Sequence, residues 1–255
     1  IFLLVYIILA LTFGYTLIMA ETSLGRMTRK SPVGAFESFG NSRFVSIGGW
    51  INAIIPILIV PYYSVIGGWV IKYLIEYFAG HSKALAGDAY FTTFISNGWS
   101  TEICFIIFTL FTLGIIYAGV RNGIERVSKF MMPILIVLSL IIAVYSVTRP
   151  GAIEGVKYFL VPNFDHFSWM TVVSAMGQMF YSLSIAMGIL ITFGSYMKKD
   201  TSIEKSTENV EIFDTAIAIM AGLMIIPAVF AFSGGNAATL KSGPALMFIT
   251  IPKVF

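Results

Sequence analysis

Long apolar runs, rather than the short amphipathic stripes of a water-soluble fold, set the pattern of this chain. They lie at about 1–20, 48–77, 101–120, 130–147, 170–197 and 204–232. Each is close to or beyond the roughly 20 residues that an α-helix needs to cross a hydrocarbon layer. The second is long for that purpose, which predicts a tilted or projecting helix, and it carries Pro56 and Pro61 inside it. Proline frees a carbonyl in a helix and is tolerated in membranes where neighbouring groups satisfy it. Between the runs lie polar stretches. Thr22 to Ser46 reads as a loop with Glu21 closing the first span, and Thr201-Ser202-Ile203-Glu204 fits a capping box that starts the last helix. The tail, 233–255, is too short and too polar to cross twice and reads as an outer loop with a short helix.

One run breaks its own pattern. Ala175 to Tyr196 is uncharged and long enough to span, yet Gln178, Ser182 and Ser184 sit halfway along it between Gly177 and Gly188. Gln178 and Ser182, four residues apart, share one helical face. Two readings are open. The serines bond back to carbonyls of their own continuous helix, or the helix opens at mid-membrane, which is possible only where it lines a cavity.

Composition agrees with a multi-pass membrane protein. The chain is 57% hydrophobic and 11% charged with mean hydropathy +0.87, against about 25% charged in soluble proteins. The single cysteine, Cys104, leaves no disulfide framework within one chain. Net charge +3 is spread over the loops and bears on orientation, not on nucleic acid. Loops after the first, third and fifth runs carry four, three and three Lys or Arg, and all remaining segments carry six. By the positive-inside rule those three loops are cytoplasmic, so the first span runs from outside to inside. Ile1 is not methionine and already lies in apolar sequence, and the chain stops abruptly at Phe255; both predict an internal piece of a longer protein.

The candidate chemistry is sparse. Asp214 stands in an otherwise neutral stretch, and a carboxylate in hydrocarbon is costly unless it is paired or bound to a cation. Counted from a helix start near Thr201 it lies some 20 Å in, which favours an ion site over a place at the cytoplasmic edge beside Glu208 and Glu211. Tyr62 and Tyr63 bring hydroxyls into the second span, able to bond a substrate carboxylate or merely a backbone carbonyl. His81 and His166 fall in different outer loops, and no metal-ligand cluster, phosphate-cradling glycine loop or nucleophile–base arrangement is present. Nothing supports an enzyme or an organic cofactor.

Six motifs in order carry a resemblance. They are Glu21-x-x-Leu24-Gly25-Arg26; Tyr62-Tyr63-Ser64-x-x-x-x-Trp69; and Gly119-Val120-Arg121-x-Gly123-Ile124-Glu125 leading to Met132-Pro133. The others are Gly177-Gln178-x-Phe180-Tyr181-Ser182-Leu183-Ser184; Asp214-Thr215 with Ala221-Gly222-Leu223; and Phe248-Ile249-Thr250-Ile251-Pro252. With these the chain resembles the neurotransmitter:sodium symporters, in particular bacterial sodium-dependent amino acid transporters. The likeness covers the family's second to seventh transmembrane segments and the start of its fourth extracellular loop.

The resemblance implies an all-α polytopic membrane protein with part of an inverted-repeat transporter fold, six transmembrane helices of which one is broken at mid-membrane near Ser182 to Ser184. It implies a substrate site from Ile59, Tyr63, Phe180, Tyr181, Ser182, Ser184, Met187 and Gly188. Tyr63 would meet the substrate carboxylate, Tyr181 would close the pocket, and Met187 and Gly188 would shape the side-chain end. Ser182 and Asp214 would serve a sodium ion, and Gln178, Ser182 and Asp214 the equivalent of the family's chloride site. The expected function is sodium-coupled, chloride-independent symport of a small neutral amino acid, with an apolar or aromatic side chain, by alternating access across the plasma membrane, the bacterial inner membrane. The partners are then the amino acid, sodium and the lipid bilayer. The alternatives are a proton-coupled transporter of the same architecture working through Asp214, and a non-transporting membrane scaffold.

Overall fold

The computed structural model describes residues 1–40, 42–87, 89–165, 167–233, 243 and 246–254. His166 and Asp88, and within the expected outer loop 234–242, 244, 245 and 255, lie outside the described residues.

The described chain is helical. The long helices are α1 (Phe2–Thr28), α2 (Arg43–Phe78), α3 (Gly98–Tyr117), α4 (Arg126–Val147) and α7 (Ile203–Ser233). These give five stretches long and apolar enough to cross a membrane. The remaining run is divided into α5 (Trp169–Ser182) and α6 (Ile189–Tyr196). It is the broken helix, and neither half reaches spanning length alone. Pro133 and Pro227 lie within α4 and α7, and α2 runs unbroken through Pro56 and Pro61.

Two boundaries differ from expectation. Glu21 does not end the first helix. α1 continues for seven more residues to Thr28, and Arg29 then stops it in the left-handed conformation, φ 56°, its N–H bonded to the Gly25 carbonyl at 2.9 Å. The stretch expected as loop therefore includes a helix end and the short helix Pro32–Glu37, capped by Ser31. At α7 the cap is Ser202, whose hydroxyl accepts from the Lys205 N–H at 3.3 Å. Glu204 then occupies the second helical position, too early to reach back as a capping box requires.

The chain forms two compact units, Ile1–Val60 with Leu160–Ile219, and Pro61–Phe159 with Met220–Phe255. In the first, α1 packs on α5 and the residues after it through Tyr6, Ala10, Ile18, Ala175, Met179 and Leu183. Toward its C-terminal end α1 packs on α6 almost backbone to backbone. A Cβ on Gly25 would collide with the Ile191 carbonyl, and one on Gly194 with the Thr22 carbonyl. Small residues at such crossings let helices gain van der Waals contact in a solvent that offers no hydrophobic drive. Arg26 and Arg29 reinforce the crossing by donating to the carbonyls of Thr201 and Ser195. The Ser195 carbonyl belongs to the last turn of α6, where a cation also meets the negative end of the helix dipole.

The second unit centres on aromatic rings. Trp69 meets Phe91 edge-on at 5.2 Å, Phe91 stacks on Phe248 at 5.4 Å, and the Tyr73 hydroxyl donates to the Phe248 carbonyl at 2.7 Å. The helix Ala152–Leu160 packs against the end of α7, with Gly155 facing Pro227 and the Phe159 ring over Gly222.

Glycine at the α1–α6 crossing is a steric requirement, and its replacement is an overpacking. Gly194→Leu should lower the stability of the purified protein by about 1–3 kcal/mol or more, read as loss of monodisperse protein in a thermal ramp. Gly114→Ala, where an added methyl meets nothing within 4 Å, should leave the transition unchanged or raise it.

Candidate functional site

The centre of the first unit is the six-residue interval between α5 and α6. α5 starts where the Ser168 hydroxyl accepts from the Thr171 N–H at 3.4 Å. Past Ser182 it unwinds gradually: the N–H groups of Leu183, Ser184 and Ile185 still turn back to the carbonyls of Met179, Tyr181 and Phe180, at 3.0, 3.3 and 3.0 Å. Thereafter the backbone leaves the helix. Ser184, Ala186 and Gly188 take positive φ of 56°, 60° and 68°. For a non-glycine residue that conformation costs on the order of 1–3 kcal/mol, so surrounding groups must hold it.

Two side chains from other helices do so. Glu21 of α1 accepts the Ala186 N–H on Oε1 at 2.7 Å. Asn52 of α2 accepts the Gly188 N–H on Oδ1 at 3.1 Å and donates from Nδ2 to the Gly48 carbonyl at 3.0 Å. On its far side Gly188 begins α6, its carbonyl accepting from both the N–H and the hydroxyl of Thr192, at 3.0 and 2.7 Å. A Cβ on Gly188 would press on Pro32 Cγ at 2.7 Å and on the Asn52 carbonyl at 3.0 Å. The N–H groups of Ala186 and Gly188, freed where the helix opens, are thus taken up by protein, as a bilayer demands. The unwinding expected at Ser182 to Ser184 runs on to Gly188.

Asp214 stands on α7, eleven residues beyond Ile203 and about 17 Å along the axis. It reaches the end of α5. The Ser182 hydroxyl donates to Asp214 Oδ2 at 2.7 Å, and the Tyr6 hydroxyl of α1 donates to the same oxygen at 3.4 Å. Three helices therefore bring a carboxylate and two hydroxyls to one point. All are hard oxygen donors, and either hydroxyl can rotate its proton away and offer a lone pair, the ligand chemistry that suits an alkali cation. Beside the group lies a cavity of about 320 Å³, lined among others by Ile18, Thr22, Ser184, Phe193, Thr207 and Asp214. Among the described residues no group of three or more His, Cys, Asp or Glu gathers to hold a metal.

The other expected site residues distribute as follows. Phe180, Ser184 and Met187 are half-buried and Gly188 is buried, all in or beside the opened interval. Tyr181 is 42% exposed. Gln178 is exposed on α5, one turn before Ser182. Ile59 is half-buried on α2. Tyr63, on the part of α2 that belongs to the second unit, is 50% exposed and meets Tyr62 edge-on at 6.0 Å.

Three residues of the site were missed from the sequence. Glu21 read as the end of a span because a carboxylate after twenty apolar residues usually marks water; its place in a motif with Gly25 was the available signal. Asn52 is a lone amide in an apolar run, and such an amide is costly unless bonded, which is the signal that applied. Tyr6 carried none beyond being a tyrosine deep in the first run.

Comparisons with known proteins show what the chain is similar to. The sequence model described as the Sodium:neurotransmitter symporter family matches residues 76–255. An uncharacterised sodium-dependent transporter of Bacillus subtilis, YhdH, is 32% identical over 257 residues, covering 100% of this chain and 56% of the relative. An uncharacterised sodium-dependent transporter of Haemophilus influenzae is 30% identical over 267 residues, covering 100% and 58%. The crystal structure of MhsT in complex with L-phenylalanine superposes with a TM-score of 0.89 at 35% identity, over 99% of this chain and 57% of that one. The chain thus spans about half the length of the curated relatives it matches.

A hydroxyl–carboxylate bond between two helices is a coupling that can be measured. In a double-mutant cycle of Ser182→Ala and Asp214→Asn on the purified protein, the two losses of thermal stability should be non-additive by about 1–3 kcal/mol. Strict additivity would mean that the bond carries no weight.

Proposed function

Because this chain belongs to the sodium:neurotransmitter symporter family, we propose that the protein containing it carries a small neutral amino acid into the cell with sodium, without a need for chloride. The observation that supports this most is the meeting of Ser182, Tyr6 and Asp214 at the end of a broken membrane helix. The proposed substrate carries an apolar or aromatic side chain, a reading supported by the L-phenylalanine bound to MhsT. The membrane is the plasma membrane, with the basic loops after α1, α3 and α6 on the cytoplasmic side.

In this reading the substrate lies along the opened interval. Ser182 and Ser184, with the unwound backbone between them, hold its main-chain groups. Ile59, Phe180, Met187 and Gly188 line the side-chain end, and Tyr181 closes over it. Asp214 and Ser182 are the sodium ligands that this chain contributes.

The charge count explains the expected indifference to chloride. A zwitterionic substrate brings no net charge, so each sodium that enters the site adds an uncompensated positive charge in a low-dielectric environment. An anion close by offsets that cost. The Asp214 carboxylate, held by two hydroxyl donors, is such an anion and is covalently part of the protein. Gln178 and Ser182 complete the equivalent of an anion site around it. Alternating access follows from the joint: α5 and α6 are short rods connected by a segment that is not a helix, so each can tilt while the other stays packed.

The test is uptake of labelled L-phenylalanine by the full-length protein in proteoliposomes. Uptake should require a sodium gradient and survive replacement of chloride by gluconate. Asp214→Asn should weaken sodium dependence or create a requirement for chloride. Uptake driven by a pH gradient and indifferent to sodium would select proton coupling through Asp214 instead, and loss of uptake in gluconate would refute chloride independence.

A further inference from the structure

Asn52 is not among the groups expected to touch substrate or ion, yet it holds the start of α6. We propose that Asn52 is a positioning residue that keeps the opened segment in its binding-competent form before sodium and substrate arrive. The inference rests on the reading of 182–188 as part of the transport site.

The argument is one of hydrogen-bond accounting. Ala186 and Gly188 both have positive φ and give their N–H groups to side chains of other helices. One donor goes to α1 and the other to α2, so the segment is tied at two points on two supports. Asn52 suits its place because the site asks for an acceptor and a donor together. The Gly188 N–H needs an acceptor and the Gly48 carbonyl a donor, and only the amide orientation found satisfies both, at 3.1 and 3.0 Å. The bond to Gly48 is not incidental. It fixes the Asn52 side chain against its own helix, one turn back, so that Oδ1 stands ready for Gly188.

Steric contact makes the dock specific. A Cβ on Gly188 would collide with the Pro32 ring and crowd the Asn52 carbonyl. The start of α6 therefore lies against α2 at Gly188 and is bonded there. With the tie lost, the Gly188 N–H would be unsatisfied in an apolar surrounding, and the strained segment would relax into other conformations. Ligands would then bind only the fraction that remains competent, and their apparent affinities would fall by that fraction.

The experiment uses the full-length protein with Asn52→Leu, which removes both bonds at similar size, and Asn52→Asp, which keeps an acceptor for Gly188. In proteoliposomes, Asn52→Leu should raise the half-saturating sodium concentration and the KM for L-phenylalanine together, each roughly five-fold or more, the cost of about one hydrogen bond. kcat should change less than two-fold, and Asn52→Asp should recover much of the loss. Hydrogen exchange supplies a readout independent of transport: in sodium-free protein the peptide containing 183–188 should exchange faster in Asn52→Leu than in the wild type. Unchanged sodium and substrate constants, or a fall in kcat alone, would overturn the proposal. So would unchanged exchange in that peptide, which decides the matter if Asn52→Leu loses transport altogether. A wild-type protein that shows no sodium-dependent uptake would defeat the transport reading first, and the positioning role would fall with it.

Discussion

A membrane interior supplies no water to an exposed amide, and the six residues after Ser182 live under that constraint. A helix satisfies its own backbone; a helix that opens must find partners elsewhere. Here the partners are a carboxylate on α1 and an amide on α2, each accepting from a residue in left-handed conformation. The arrangement leaves a stretch of backbone outside regular structure. It also makes that stretch conditional on two other helices. The break is therefore not a local weakness of one segment but an agreement among three.

Asp214 extends the same logic to charge. A carboxylate on a membrane helix is tolerated when other groups share its charge, and the hydroxyls of Ser182 and Tyr6 both turn to the same oxygen. This links α7 to the last residue of α5, at the threshold of the opened segment. Any change at Asp214 therefore acts at the point where the helix begins to unwind. Asp214 and the end of α5 are connected through one oxygen atom.

Much of the architecture was legible along the chain. The apolar runs located the helices because nothing but a helix can be apolar all round for twenty residues in lipid. The serines and glycines in 175–196 marked a candidate break, and the resemblance chose it over a continuous helix. Asp214 stood out because isolated charge in apolar sequence is expensive. The boundaries were harder. Glu21 looks like a stop in the sequence, yet its carboxylate bonds inside the protein and α1 continues past it to Thr28. A single position cannot tell whether a charge faces water or a bond donor from another helix.

The sequence by itself determined which segments are helical and membrane-compatible, which one carries polar and small residues at its middle, and which acid lies in apolar sequence. These follow from local costs, of charge in hydrocarbon and of small residues in a rod, that each stretch bears alone. Only the tertiary structure decided that Glu21 and Asn52 hold the interruption open, that it reaches Gly188, and that Tyr6 joins Ser182 on Asp214. Those pairings join residues 136 to 208 positions apart. Hydrogen bonding is directional and short in range, so its partners exist only once the helices have packed.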